Sequence, residues 1–130
     1  MMVVYDSRTG NVARFVAKLG VNGLRLEEHT VVDKPFVLVT YTTGFGEVPE
    51  KVRRFLVRNH ACLKGVAASG NRNWGRMFAA SADAIAAAYQ VPVLVKFELS
   101  GTSRDVEQFW NGVRQIESFG GKTFKDGKKS

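Results

Sequence analysis

The sequence predicts an α/β domain: a five-stranded parallel sheet in the order 2-1-3-4-5, doubly wound into three layers with helices on both faces. Three observations carry this. Short apolar runs alternate with stretches of helical period. The runs are apolar at successive positions, as strands buried on both faces must be, and such strands belong to parallel sheets covered by helices. The length, 130 residues of which 45% are hydrophobic, supports one core and leaves no room for a second. Right-handed crossovers then make 2-1-3-4-5 the natural order.

Each element has its own justification. Met2-Val3-Val4-Tyr5 reads as the first strand, and the polar stretch Asp6-Ser7-Arg8-Thr9-Gly10-Asn11 as the turn after it. Val12, Phe15, Val16 and Leu19 then fall on one helical face, which Gly20 closes as C-terminal cap. Leu24 to Leu26 is a short second strand. Phe36-Val37-Leu38-Val39, opened by Pro35, is the third and runs into Thr40-Tyr41-Thr42-Thr43-Gly44-Phe45-Gly46. Pro49 suits a first helical position, with Val48, Val52, Phe55 and Leu56 as the buried face of that helix. Leu63 to Ala68 is the fourth strand and Ser69 to Gly75 its loop; Phe78, Ala82, Ile85 and Tyr89 form the next helical stripe. Val91 to Phe97 is the last strand. Thr102 caps a final helix with Asp105 in its first turn and Val106, Phe109, Trp110, Val113 and Ile116 inward.

Composition excludes several classes. The 14 aromatic residues and the regular apolar runs argue against disorder. No apolar stretch approaches the ~20 residues of a membrane span, and the start lacks the basic region of a signal peptide. A cytoplasmic chain without a membrane partner is therefore expected. A single cysteine, Cys62, allows no internal disulfide and reads as a small buried hydrophobe; with the isolated His29 and His60 it makes no metal site. The net charge of +7 is spread along the chain, with local bias at the end alone, where Gly120 to Ser130 holds four lysines against one aspartate. The expected organisation is a domain over residues 1–118 and a basic, flexible tail over 119–130.

In a doubly wound sheet, ligands bind beyond the carboxyl ends of the strands where the strand order reverses, between the first and third strands. The loop Ser7-Arg8-Thr9-Gly10-Asn11 offers hydroxyls, an amide and backbone N–H groups at a helix start, which suits a phosphate; a plain capping turn uses the same residue types. The loop from Thr40 to Gly46 supplies Tyr41 and Phe45 with two glycines that let backbone approach a flat ligand, although Tyr41 also reads as a core residue at the strand end. The third loop adds Trp74 among Gly70, Asn71, Asn73 and Gly75. Together they describe a site for a planar heteroaromatic phosphate.

The first loop, Ser7-x-Thr9-Gly10-Asn11, resembles the FMN-phosphate loop of flavodoxins. The fuller set is similar to the NrdI family, the flavodoxin-like activators of class Ib ribonucleotide reductase. It comprises Asp6 to Val16, Tyr41 to Pro49, Gly65 to Asn71 and Phe97 to Thr102, four blocks in order within residues 2–117. The resemblance implies a flavodoxin-like fold and FMN as cofactor. Ser7, Arg8, Thr9, Gly10, Asn11 and Val12 would hold its phosphate. Thr42, Thr43, Gly44, Phe45 and Gly46 would border the reactive ring, with Gly44 and Phe45 as the redox loop, and Ser69, Gly70, Asn71, Trp74 and Gly75 the pyrimidine end. It further implies that the flavin, reduced by an electron donor, reacts with dioxygen and passes superoxide or a related oxidant to the reductase small subunit. That subunit would use it to assemble a dimanganese-tyrosyl radical.

The charge supports this direction independently, since ordinary flavodoxins are longer and strongly acidic. Arg8, Arg72 and Arg76 stand in the site loops against Asp6 and Glu47, an expected positive field. Two other readings stay open: an ordinary one-electron carrier, and a nucleic-acid module driven by the basic charge, the latter expected to fail. Competing motifs break at named positions. Gly120-Gly121-Lys122-Thr123 lacks the P-loop's earlier glycine, because position 116 is Ile116; a dinucleotide fingerprint at Gly44 fails at Pro49; a receiver domain needs an aspartate where Thr40 stands.

Overall fold

The computed structural model describes residues 1–44 and 46–126, and side chains as far as residue 118. Its elements are β1 (Met2–Tyr5), α1 (Asn11–Lys18), β2 (Leu24–Arg25), β3 (Phe36–Tyr41), α2 (Glu50–Asn59), β4 (Leu63–Gly70), α3 (Ala80–Tyr89), β5 (Val93–Glu98) and α4 (Ser103–Asp126). All strand pairings within the sheet are parallel, and the order β2-β1-β3-β4-β5 is the one the sequence predicts.

Alternation along each strand builds the three layers, because successive side chains leave opposite faces of the sheet. Val4, Leu38, Val66 and Ala68 point to the face covered by Val52, Phe55 and Leu56 of α2 and Ala82 and Ile85 of α3. Val3, Val37, Val39 and Ala67 point to the other, covered by Val12, Phe15 and Val16 of α1 and Phe109 and Val113 of α4. On that second face the Phe15 ring stacks on Phe97 at 4.0 Å between centroids and meets Phe109 edge-on at 6.0 Å. Truncating such a side chain to alanine costs about 3–5 kcal/mol.

The caps explain where helices stop and start. Gly20 follows the C-cap of α1 with φ +78°, a conformation that costs glycine little. At α4, Thr102 Oγ1 accepts from the Asp105 N–H at 3.2 Å, and Asp105 Oδ2 accepts from the Thr102 N–H at 2.8 Å. That reciprocal pair is a capping box. Elsewhere the boundaries moved. Pro49 is the N-cap of α2 rather than its first helical residue, since its ψ of 142° is still extended. The third and fourth strands run past the apolar signal to Tyr41 and Gly70, because ladder hydrogen bonds do not require apolar side chains. α3 begins at Ala80, after Phe78. β5 begins two residues late, as the Val91 N–H still donates to Ala86 and Pro92 has no N–H to give.

The segment expected as a tail is helical backbone through Asp126; its last four residues lie outside the described ones. Cys62 is half-buried and packs against the α2/α3 side of the core. Among the described residues no helix is long and apolar enough to cross a membrane.

Candidate functional site

Register decides which strand ends meet. Tyr41 pairs with Ser69, Ser69 with Phe97, and Gly70 with Glu98, so the carboxyl ends of β3, β4 and β5 are level, beside the loop that leaves β1. A cavity of about 360 Å³ opens there, lined by Arg8, Thr9, Asn11, Tyr41, Thr42, Ser69, Gly70, Asn71, Trp74, Glu98 and Leu99. This lies within the range of sites for cofactor-sized ligands.

The first loop is built around the start of α1. Gly10 is the N-cap at φ +94°, and a Cβ there would stand 2.9 Å from Arg14 Nη1. An L side chain is strained at that φ, and the bare backbone leaves the turn open. Ser7 is buried, and its Oγ accepts from the Ala13 N–H at 3.2 Å, so its hydroxyl serves the helix. The N–H groups of Asn11 and Val12 also belong to the first turn, where no intrahelical acceptor exists. Arg14 Nη2 donates to Asn11 Oδ1 at 2.7 Å and Arg14 Nε to Ser100 Oγ at 3.0 Å, while Lys18 Nζ donates to the Gly101 carbonyl at 2.8 Å. These bonds bolt α1 to the loop between β5 and α4. They leave the Asn11 amide nitrogen for the cavity.

The second loop folds back on itself. The Thr43 N–H donates to the Glu47 carbonyl at 2.9 Å and the Glu47 N–H to the Thr43 carbonyl at 2.8 Å, with Gly44 at φ +54° and Gly46 at φ +104° near the tip. Ser81 fixes the strand end before it: its hydroxyl donates to the Tyr41 carbonyl at 3.1 Å and lies 2.8 Å from Thr42 Oγ1. In the third loop, Asn71 Oδ1 accepts from the Asn73 N–H at 2.9 Å and the Asn71 carbonyl from the Trp74 N–H at 3.1 Å, which sets the tryptophan at the rim. Gly70 is pressed against α3's entry, for a Cβ there would meet the Ala79 nitrogen at 2.4 Å.

The charges are mixed. Arg72 Nε stands 3.6 Å from Glu98 Oε1, the Arg72 N–H donates to Glu98 Oε2 at 3.1 Å, and the Arg72 guanidinium lies 4.5 Å from the Phe78 ring centroid. Of the residues on the cavity wall, Arg8 and Glu98 are the charged ones, of opposite sign. This revises the expected positive field, because Arg72 has a carboxylate partner that a count over the loops omitted. Burial pushes the Tyr41 hydroxyl above its ordinary value of 10.0, the Asp6 charge adds to the shift and Arg8 opposes it.

Of the residues singled out from sequence, Arg8, Thr9, Asn11, Tyr41, Thr42, Ser69, Gly70, Asn71 and Trp74 line one cavity. Tyr41 also packs against the α1/α4 side of the core, so it is a core residue at the strand end as well as part of the cavity wall. The Val12 side chain is in the core, which leaves its backbone N–H for a ligand. Thr43 and Gly46 line a neighbouring cleft of about 560 Å³ with Glu47, Val48, Glu50, Arg53 and Ala84. Gly44 is exposed beside it. Gly75 breaks the 3-10 turn at φ +58° away from the cavity wall. Phe45 lies outside the described residues. Glu98, Leu99 and Ser81 were not singled out. The end of a fifth strand was a signal for the first two; nothing in the sequence marked Ser81.

A five-stranded 2-1-3-4-5 sheet with its cleft at the order reversal defines the flavodoxin-like class. A solved structure titled as a short-chain flavodoxin associated with a non-canonical PDU bacterial microcompartment matches it with a TM-score of 0.65 at 22% identity, over 92% of this chain and 99% of that one. Within the class, the chain belongs to the NrdI flavodoxin-like family, whose model matches residues 3–111. It is 54% identical over 117 residues to Protein NrdI of Bacillus licheniformis, covering 89% of each chain. It is 48% identical over 120 residues to Protein NrdI of Macrococcus caseolyticus, covering 92% of this chain and 93% of that one. Membership implies a flavin cofactor.

Proposed function

We propose that this chain binds FMN in the cavity at the strand ends and activates the small subunit of class Ib ribonucleotide reductase. The bound flavin, once reduced, would supply the electron that turns dioxygen into superoxide or a related oxidant for dimanganese-tyrosyl radical assembly. The observation that supports this best is one cavity joining an anion-binding helix start to a Tyr41 and Trp74 wall.

The residues fit the group. Thr9, the Asn11 amide and the first-turn N–H groups of α1 offer donors to a phosphate dianion, and Arg8 adds a cation at the mouth. Gly10 keeps the cradle free of a side chain. Tyr41, Trp74 and Leu99 give a ring system apolar faces, while Ser69 and Asn71 offer polar edges. The hairpin closed by Thr43 and Glu47 holds both ends of a glycine tip, so the Gly44 peptide can turn while its flanks stay fixed.

Flavin released by heating should run as FMN on chromatography; FAD alone, or an apoprotein that ignores FMN, sinks the cofactor assignment. For the activity, the photoreduced protein is mixed with oxygenated buffer and manganese-loaded small subunit, and the tyrosyl radical is sought by electron paramagnetic resonance. One observation favours a second reading, an ordinary one-electron carrier for another enzyme: with Arg8 and the Arg72-paired Glu98 as its charged residues, the cavity wall carries no excess of positive charge to favour an anionic reduced ligand. Absence of the radical, with electrons delivered to an unrelated acceptor, would decide for it.

A further inference from the structure

Asp6 stands at the end of β1, immediately before the loop assigned above to the phosphate. It is 4% exposed, and its Oδ2 is, among the described residues, the buried side-chain atom without a hydrogen-bond partner. A carboxylate in that position has lost hydration and gained little in return. Groups from every neighbouring element face it. Lys51 Nζ, in the first turn of α2, lies 3.9 Å from Oδ1 and shares itself with Glu27 at 3.7 Å. Arg25 of β2 acts from further off, its Nη2 donating to the Ser7 carbonyl at 2.8 Å. From β3 the Tyr41 hydroxyl feels the Asp6 charge, and Arg8 counters it there. Burial prevails over these cations and holds the carboxyl above its ordinary value of 3.8; Lys51, Arg25 and the Ser7 N–H pull it down, and Glu27 pushes it up.

The Asp6 charge reaches the hydroxyl of Tyr41 on the cavity wall, and the three residues from Asp6 to Thr9 span at most about 11 Å of chain, so a phosphate dianion entering the loop adds a like charge within reach of this carboxylate. Like charges at that separation inside a protein are weakly screened. The repulsion is relieved when the carboxyl binds a proton from solvent, and the oxygen that lacks a donor is where the charge is costliest. We propose that Asp6 is a proton-linked positioning residue of the phosphate site, taking up a proton as the phosphate of FMN binds. The inference rests on the FMN reading. It gives affinity a pH dependence opposite in sign to that of the phosphate's own second ionisation, near pH 6.

Calorimetry of FMN binding to the flavin-free full chain, in buffers of different ionisation heat between pH 5.5 and 7.5, counts the protons exchanged. Wild type should take up more protons per FMN than Asp6→Asn, which should bind FMN roughly tenfold more tightly at pH 7.5. Lys51→Gln, which removes the nearest cation without touching the cavity, should take up more protons near neutrality than wild type. FMN binding with equal proton counts in wild type and Lys51→Gln, or in wild type and Asp6→Asn, overturns the proposal and leaves the cofactor assignment standing. Failure of wild type to bind FMN overturns both.

Discussion

Thr9 and Asn11 differ in what their loss would do. Thr9 is exposed on the cavity wall, whereas Asn11 also accepts from Arg14, so its replacement loosens the clamp on α1 as well. Removing both donors to a charged group, each worth roughly 1.5–3 kcal/mol, should lower FMN affinity at least tenfold, read by fluorescence titration of the apoprotein. Gly44→Val is a backbone experiment. The new Cβ would stand 2.6 Å from Glu47 Oε1, but that is the end of an exposed, flexible side chain which swings away; the cost comes from φ +54° and is of order 1–3 kcal/mol. The first reduction step should shift in a redox titration, and an unmoved titration would remove Gly44 from the redox loop. Asp6 gives a stability prediction separate from ligand binding. Its carboxyl is held above 3.8 in the folded state, so folding takes up a proton between that value and the raised one. Stability from this group is present below the unfolded value and lost as pH rises through the folded one. Asp6→Asn should therefore flatten that part of a urea-denaturation series and be the more stable protein at pH 7.

The start of α4 was legible because its cap is local chemistry, whereas the starts of α2 and α3 were not. Thr102 and Asp105 declared the start of α4 from three residues' spacing, and the structure closes both bonds of the box. Thr102→Ala should cost about 1 kcal/mol, seen as a lower urea midpoint with an unchanged slope. The stripe Val12, Phe15, Val16 and Leu19 was legible for the same reason: burial on one face writes a period into the sequence. What the sequence withheld depends on register. Glu98 follows a recognisable strand, yet its place opposite Gly70, and its hold on Arg72, come from pairing between strands far apart in the chain. Ser81 is similar. A serine in the first turn of a helix reads as a surface residue until β3 is laid beside it, where it is fully buried and pins Tyr41 and Thr42.

At the scale of the molecule, the net charge of +7 remains although the cavity wall itself is mixed in sign. Several of the basic groups on α2 are matched by carboxylates, Lys51 with Asp6 and Glu27, Arg53 with Glu50, and Arg54 with Glu50 and Glu28. The excess therefore acts at long range on an approaching partner more than on the flavin pocket. Association with an acidic partner surface, such as that expected of the reductase small subunit, should slow by about tenfold or more between 20 and 500 mM salt in stopped-flow mixing. A rate indifferent to salt would assign the charge to solubility alone.

The second strand has a consequence for the chain's behaviour in concentrated solution. β2 consists of Leu24 and Arg25, both exposed, and it forms one open edge of the sheet. A stranger's backbone docking there would find about one hydrogen-bonding repeat to copy before the edge ended. Fibril growth by strand addition needs a longer template, so brevity guards this side where other proteins use a lysine or a bulge. Lengthening β2 by even a few β-forming residues would convert a harmless rim into a seed.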